Sequence, residues 1–306
     1  MPAPRHTPKR EFVKPLLGAF VCFLLFWIPQ SVLVPAVQFF GGRLMGFTLG
    51  LLLAAAISTA FAMAIFESRP MTDLGLRWGP GNRRNLLIGL ALGAVSAGLV
   101  VLAPVAFGMA HFTRAEHPDV SVLGDLFLPV MLACGAMAEE LEFRGFIFQY
   151  LTRGWGPWAA LLSTGVLFGL LHTGNPGSTL LSDVNTAFFG VLFGYAVLRT
   201  HDLWLPFGLH FAWNVTLPFG GTELSGLTIK VTGYELVWNS GDLWSGGKYG
   251  PEASVLTTAV IVLLFLAVWK APLYRSWAWL LDEAEESPEA ISLDLSEPPA
   301  SSSPPS

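Results

Sequence analysis

MAEELEFRG, residues 137–145, places four ionisable side chains inside an otherwise apolar stretch that runs from residue 123 to 150. At a rise of about 1.5 Å per residue, a helix of that length crosses a hydrocarbon core of about 30 Å, so the stretch reads as a membrane span. Glu139, Glu140, Glu142 and Arg144 then lie at or near membrane depth, where an isolated charge costs at least about 2.5 kcal/mol. At roughly 100° per residue, Glu140 and Arg144 share one helical face in the favourable acid-first order, and Glu139 points away from it. One carboxylate is neutralised by its own helix, and the other is left for a partner elsewhere. A buried ion-pair cluster that only fixes packing is the bland alternative, but ionisable residues inside a membrane mark a functional site by default.

Composition supports a membrane setting for the whole chain. Of 306 residues, 53% are hydrophobic and only 13% are charged, with a mean hydropathy of +0.55, well away from the soluble balance. The net charge of −5 argues against nucleic acid as a partner. Two cysteines, Cys22 and Cys134, both in apolar segments, exclude a disulfide framework and a thiolate zinc site.

Outward from the motif, the apolar pattern predicts an all-α, polytopic membrane protein of about eight spans. They cover residues 15–40, 44–66, 86–110, 123–150, 158–173, 186–198, 203–219 and 254–269. The first follows a basic leader, residues 1–14, but is too long for a signal-peptide core and contains Pro29 and Pro35, so it reads as a span. Alternation from a cytoplasmic N-terminus leaves only Arg43, Arg114, Lys230 and Lys248 of the Lys and Arg outside. Both termini are therefore expected in the cytoplasm, with a bacterial inner membrane as the expected setting. The membrane-embedded domain is expected over 15–281, with a motif core at 138–216. Residues 220–253 form either an external hairpin or cap or a plain connecting loop, and an acidic, Ser/Pro-rich disordered tail occupies 282–306.

Three further polar side chains stand in the spans. His172 closes FGLLH, and His210 and Asn214 are four apart in HFAWN, hence on one helical face. A histidine at a span end is commonly interfacial, yet in lipid an imidazole or carboxamide needs a hydrogen-bonding partner. Convergence on Glu139 supplies one. A Glu, two His and an Asn can activate water and hold an oxyanion. The same Glu139, His172 and His210 are also a possible zinc set, although HExxH spacing is absent. Asp183 and Asn185 read as caps of the sixth span, and Gly190 and Gly194 as a GxxxG contact.

EELEFR at 139–144, FGLLH at 168–172 and HFAWN at 210–214 resemble the EExxxR, FxxxH and HxxxN motifs of one family in their expected order. That family is the CAAX prenyl endopeptidase and bacteriocin-processing (CPBP, Abi) family of intramembrane proteases. The resemblance implies that Glu139 and His172 activate water, that His210 and Asn214 stabilise the oxyanion, and that Glu140 and Arg144 support them. It implies a membrane-tethered protein or peptide substrate. No cofactor is expected, with zinc as the alternative. A non-catalytic membrane binder or immunity factor is a competing reading, and so is a transporter using the carboxylates as a proton relay, which the absence of an internal repeat disfavours.

Overall fold

The structure, a computed structural model, describes residues 13–115 and 122–285. The basic leader up to residue 12 and the tail from 286 onward lie outside the described residues. The fold is mostly helical, as expected.

Helix α1 (Val13–Met45) continues through a π-helical turn (Gly46–Gly50) into α2 (Leu51–Glu67). Gly42 interrupts this run at φ 79°, a left-handed conformation that only glycine adopts at little cost. The chain doubles back there, so that a Cβ on Gly50 would lie 2.9 Å from Val34 Cα. The first two predicted spans are therefore the arms of one helical hairpin. A 3₁₀ turn (Met71–Leu74) leads to α3 (Pro80–Ala106), which begins six residues earlier than the apolar pattern suggests because Pro80 occupies its first turn.

The predicted fourth span is not one regular helix. It divides into α4 (Val122–Glu140), a π-helical segment (Leu141–Phe146) and α5 (Ile147–Trp155), with Gly145 off helical geometry at ψ −119°. Next come α6 (Pro157–His172), α7 (Leu180–Thr200) and α8 (Trp204–Phe219). Helix α7 starts earlier than expected, with Thr179 and Ser182 forming its capping box. Asp183 and Asn185 are thus not its caps. Ser178 donates to Asp183 at 2.7 Å, and the buried Asn185 bonds the Glu252 and Ser254 carbonyls.

Residues 220–253 do form structure, although the hairpin is not their own. Strand β2 (Tyr234–Trp238) pairs antiparallel with β1 (Ala110–Arg114), which lies between α3 and α4. A short helix α9 (Asp242–Ser245) and two 3₁₀ turns complete the segment before α10 (Val255–Lys270) and α11 (Trp279–Glu285).

Two apolar cores hold the helices together. One gathers Val100, Leu192, Leu209, Trp213 and Ile261 from α3, α7, α8 and α10. The other gathers Met63, Phe146, Phe148, Leu203 and Leu280 around α2, α5 and α11. The α3–α8 pair is the most extensive, and its closeness depends on Gly93, where a Cβ would stand 2.2 Å from Leu209 O. Outside these cores, Leu16, Phe20, Leu24, Ile28 and Val32 of α1 and Leu87, Val95, Leu99 and Leu102 of α3 are exposed. Apolar faces this long need lipid to cover them.

Among the described residues, three helical stretches are long and apolar enough to cross a membrane: Val13–Glu67, Pro80–Ala106 and Leu180–Thr200. Helices α6 and α10 are apolar but have 16 residues each, about 24 Å, short of a full hydrocarbon core. The chain is an integral membrane protein, and helix length alone does not yield eight full crossings.

Candidate active site

Glu139 and Glu140 end α4, at the point where the backbone widens into its π-helical turn. Such turns re-aim side chains that a regular helix would space evenly. Glu140 is fully buried, with Arg144 Nε 3.6 Å from its Oε2, so the intrahelical pair is present despite the irregular backbone. The other Glu140 oxygen is engaged from α8: His210 Nδ1 lies 2.8 Å from Oε1. A carboxylate only accepts, so this nitrogen carries the hydrogen and donates it.

His172, the last residue of α6, is fixed by the same logic. Its Nδ1 lies 2.7 Å from the Phe168 carbonyl, which can only accept, so Nδ1 is again the donor. Both imidazoles therefore turn Nε2 toward Glu139. Oε2 of Glu139 stands 4.0 Å from His172 Nε2 and 3.8 Å from His210 Nε2. These separations are too long for hydrogen bonds and leave room for a shared small molecule. The Glu139 side chain keeps 32% of its surface exposed, so the space is reachable.

Aromatic rings set the imidazole planes. Phe168 packs on His172 at 4.6 Å, and Phe193 stacks on His210 at 4.9 Å and 16°. The Arg144 guanidinium lies over the same two rings, 4.3 Å from Phe168 and 5.1 Å from Phe193, and donates to the Gly190 carbonyl. Gly190 in turn meets Gly165 across the α6–α7 contact, where a Cβ on it would stand 2.9 Å from Gly165 Cα. The GxxxG glycine thus sets the spacing of the two helices that carry these rings.

The structure brings Glu139, Glu140, Arg144, His172 and His210 together. Asn214 follows His210 by one turn on α8 and is half-buried; no hydrogen bond links it to the other five among the described residues. No group of three His, Cys, Asp or Glu side chains among the described residues is placed to hold a metal ion.

Residues 121–216 match the Rce1-like family, described as type II CAAX prenyl endopeptidase Rce1-like. That match supports the CPBP/CAAX protease family for the motif core. No curated protein and no solved structure matches the chain. The matched segment contains Glu139, Glu140, Arg144, His172 and His210.

Beyond residues 121–216, the structure adds groups that periodicity does not reveal. Glu252, from the 220–253 region, is buried and accepts hydrogen bonds from Trp213 Nε1 at 3.0 Å and from the Ser225 amide and hydroxyl. Burial pushes its carboxyl above the usual range, against the pull of those donors and of nearby His172. The same region lies against the turn after His172, with Gly177 close to Tyr249 and Gly226 close to Pro176. Burial likewise lifts the Tyr249 phenol to about 12. Glu252 is a lone acid in a loop, and nothing local marks it. Ser58, which donates to the buried Glu142 at 3.3 Å, is equally silent in the sequence.

Proposed function

We propose that the protein is an intramembrane endopeptidase that hydrolyses a peptide bond of a membrane-tethered protein or peptide. Its Glu139 and His172 activate water, and its His210 and Asn214 stabilise the oxyanion. The observation that carries this reading is the approach of both Nε2 atoms to one oxygen of Glu139, with both Nδ1 atoms tied elsewhere.

The tied nitrogens give the two histidines different roles. Neutral His172 has only a lone pair at Nε2, so a water donates one hydrogen there and the other to Glu139 Oε2. Its oxygen lone pair is left for the substrate carbonyl. As the carbon–oxygen bond forms, Glu139 takes the water proton. His210 can donate from Nε2 only as an imidazolium, which Glu140 stabilises through Nδ1–H. The imidazolium also balances the charge that Glu139 and Glu140 carry in excess of Arg144. His210 and the Asn214 carboxamide then donate to the oxyanion, each such donor contributing about 3 kcal/mol. Collapse breaks the carbon–nitrogen bond, and the proton held by Glu139 passes to the leaving amine.

The substrate class is a peptide anchored at the membrane, of which the prenylated peptide in the family's description is one member. The setting we propose is a bacterial inner membrane with both termini cytoplasmic. A zinc-dependent version would draw on the same Glu139, His172 and His210, and no step is derived through a metal.

Comparative N- and C-terminal peptide mapping of membrane proteins, in cells with wild type or Glu139→Gln, tests the proposal. Cleavage products should fall by about a hundredfold or more while the variant remains folded and membrane-inserted. Retained cleavage refutes Glu139 as base, and unchanged protection or binding with no cleavage in wild type favours the immunity-factor reading. Activity that survives chelation, without stoichiometric zinc by elemental analysis, removes the metal version.

A further inference from the structure

On the side of the fold where α2 ends and α3 and α8 begin, a groove of about 900 Å³ runs beside the first turns of α3. Trp78, Arg83, Arg84, Leu87, Ile88 and Pro272 line it. Its two ends differ in chemistry. At one end two exposed arginines stand together, and at the other the wall is aliphatic and continues into the exposed apolar face of α3 at Leu87, Val95 and Leu99.

The neighbouring acids do not neutralise these arginines. Asp73 is paired with Arg69 and Arg77, Asp202 accepts from Asn82 and Asn85, and Asp282 is bound by His201 and Arg275. Among the described residues, neither Arg83 nor Arg84 has a carboxylate partner. Trp78 and Trp204 stand in edge contact at 4.8 Å, Tyr274 lies against Gly81 in the first turn of α3, and Trp277 stacks on Arg77. Amphipathic rings collect where headgroups meet acyl chains.

We infer that this groove binds an anionic phospholipid, with Arg83 and Arg84 on the phosphate and the acyl chains along Leu87, Ile88 and the outer face of α3. A guanidinium fork matches phosphate oxygens geometrically as well as in charge. The aliphatic continuation requires an amphiphile rather than a free anion. Charge complementarity selects an anionic headgroup over a zwitterionic one. This inference is independent of the peptidase reading, because no residue of the groove belongs to the Glu139 cluster.

The test uses the full chain in mild detergent, offered equal amounts of phosphatidylglycerol and phosphatidylcholine with identical acyl chains. Retained lipid is counted by native mass spectrometry. Wild type should retain phosphatidylglycerol preferentially. Arg83→Gln with Arg84→Gln should reduce that preference by roughly 30-fold, given the usual worth of two basic side chains at an anionic lipid surface. Arg83→Lys with Arg84→Lys should keep most of it and serves as the folded reference. Equal retention of the two lipids by wild type, or an unchanged preference in the double Gln variant, overturns the inference. Thermal stabilisation by inorganic phosphate equal to that by phosphatidylglycerol also overturns it, since the groove would then take the anion alone.

Discussion

The Glu140–Arg144 pair can be tested by a double-mutant cycle in which stability and activity are expected to part company. Both side chains are almost wholly buried, and the Arg144 Nε to Glu140 Oε2 separation is 3.6 Å. At an effective dielectric of about 20, that distance corresponds to an attraction of roughly 4–5 kcal/mol. Glu140→Gln leaves the guanidinium with the Gly190 carbonyl and the faces of Phe143, Phe168 and Phe193. Arg144→Met leaves Glu140 Oε2, which already lacks a hydrogen bond, without its cation. Each single change should cost about 3–5 kcal/mol, the usual penalty for stranding a buried charge. The double variant strands neither, and His210 Nδ1–H can still donate to the amide oxygen at position 140. Its cost should therefore be about 1 kcal/mol, a coupling of at least about 5 kcal/mol. Reversible unfolding in mixed micelles, followed by the fluorescence of the 11 tryptophans, measures all four corners. Peptide cleavage by the refolded double variant should nonetheless stay more than tenfold slow, because a neutral partner holds an imidazolium less well by about 1.5 kcal/mol. Additivity within about 0.5 kcal/mol would refute the pairing. A double variant with restored fold and full activity would refute the role of Glu140 in charging His210.

Two other perturbations probe the frame around the site. Asp202 caps α8 by accepting from the Trp204 and Leu205 amides, and burial holds its carboxyl above the ordinary range against those bonds and the ones from Asn85 and Asn82. As pH rises the unfolded chain ionises first, so the contribution of Asp202 is fully present below its unfolded value and is lost as pH rises through the folded one. The difference in stability between wild type and Asp202→Asn, measured across this window, should slope downward with pH; a flat or rising difference contradicts the assignment. Gly190→Val would push a side chain into Gly165 Cα and Phe168 Cβ, at 2.9 and 3.1 Å from the Cβ position, at a cost of about 1–3 kcal/mol. It should also slow cleavage by displacing the rings that hold the imidazoles, and unchanged stability by the same unfolding assay would show that α6 and α7 yield more easily than their packing suggests.

What the sequence by itself determined is local. Mean hydropathy and the lengths of apolar runs dictate a helical membrane protein, because an unpaired backbone group in lipid is prohibitive. The spacing of EELEFR, FGLLH and HFAWN assigns faces, since three or four residues bring side chains onto the same side of a helix. The Glu140–Arg144 pair and the juxtaposition of His210 and Asn214 on one helix are legible for that reason. Span positions follow to within a few residues, as at Gly42, which falls in the gap between the first two expected spans, except where a capping residue decides the boundary, as at Thr179.

Tertiary structure decided which partners meet. His210 reaches Glu140 across 70 positions, β1 pairs with a strand from the far side of five helices, and Glu252 folds in from a loop to accept from Trp213. No periodicity encodes these contacts, because each depends on the close approach of helices at Gly93 and Gly190 and on the π-helical widening after Glu140. A side chain's direction is a property of its own turn, whereas the group it meets is a property of the packing between helices.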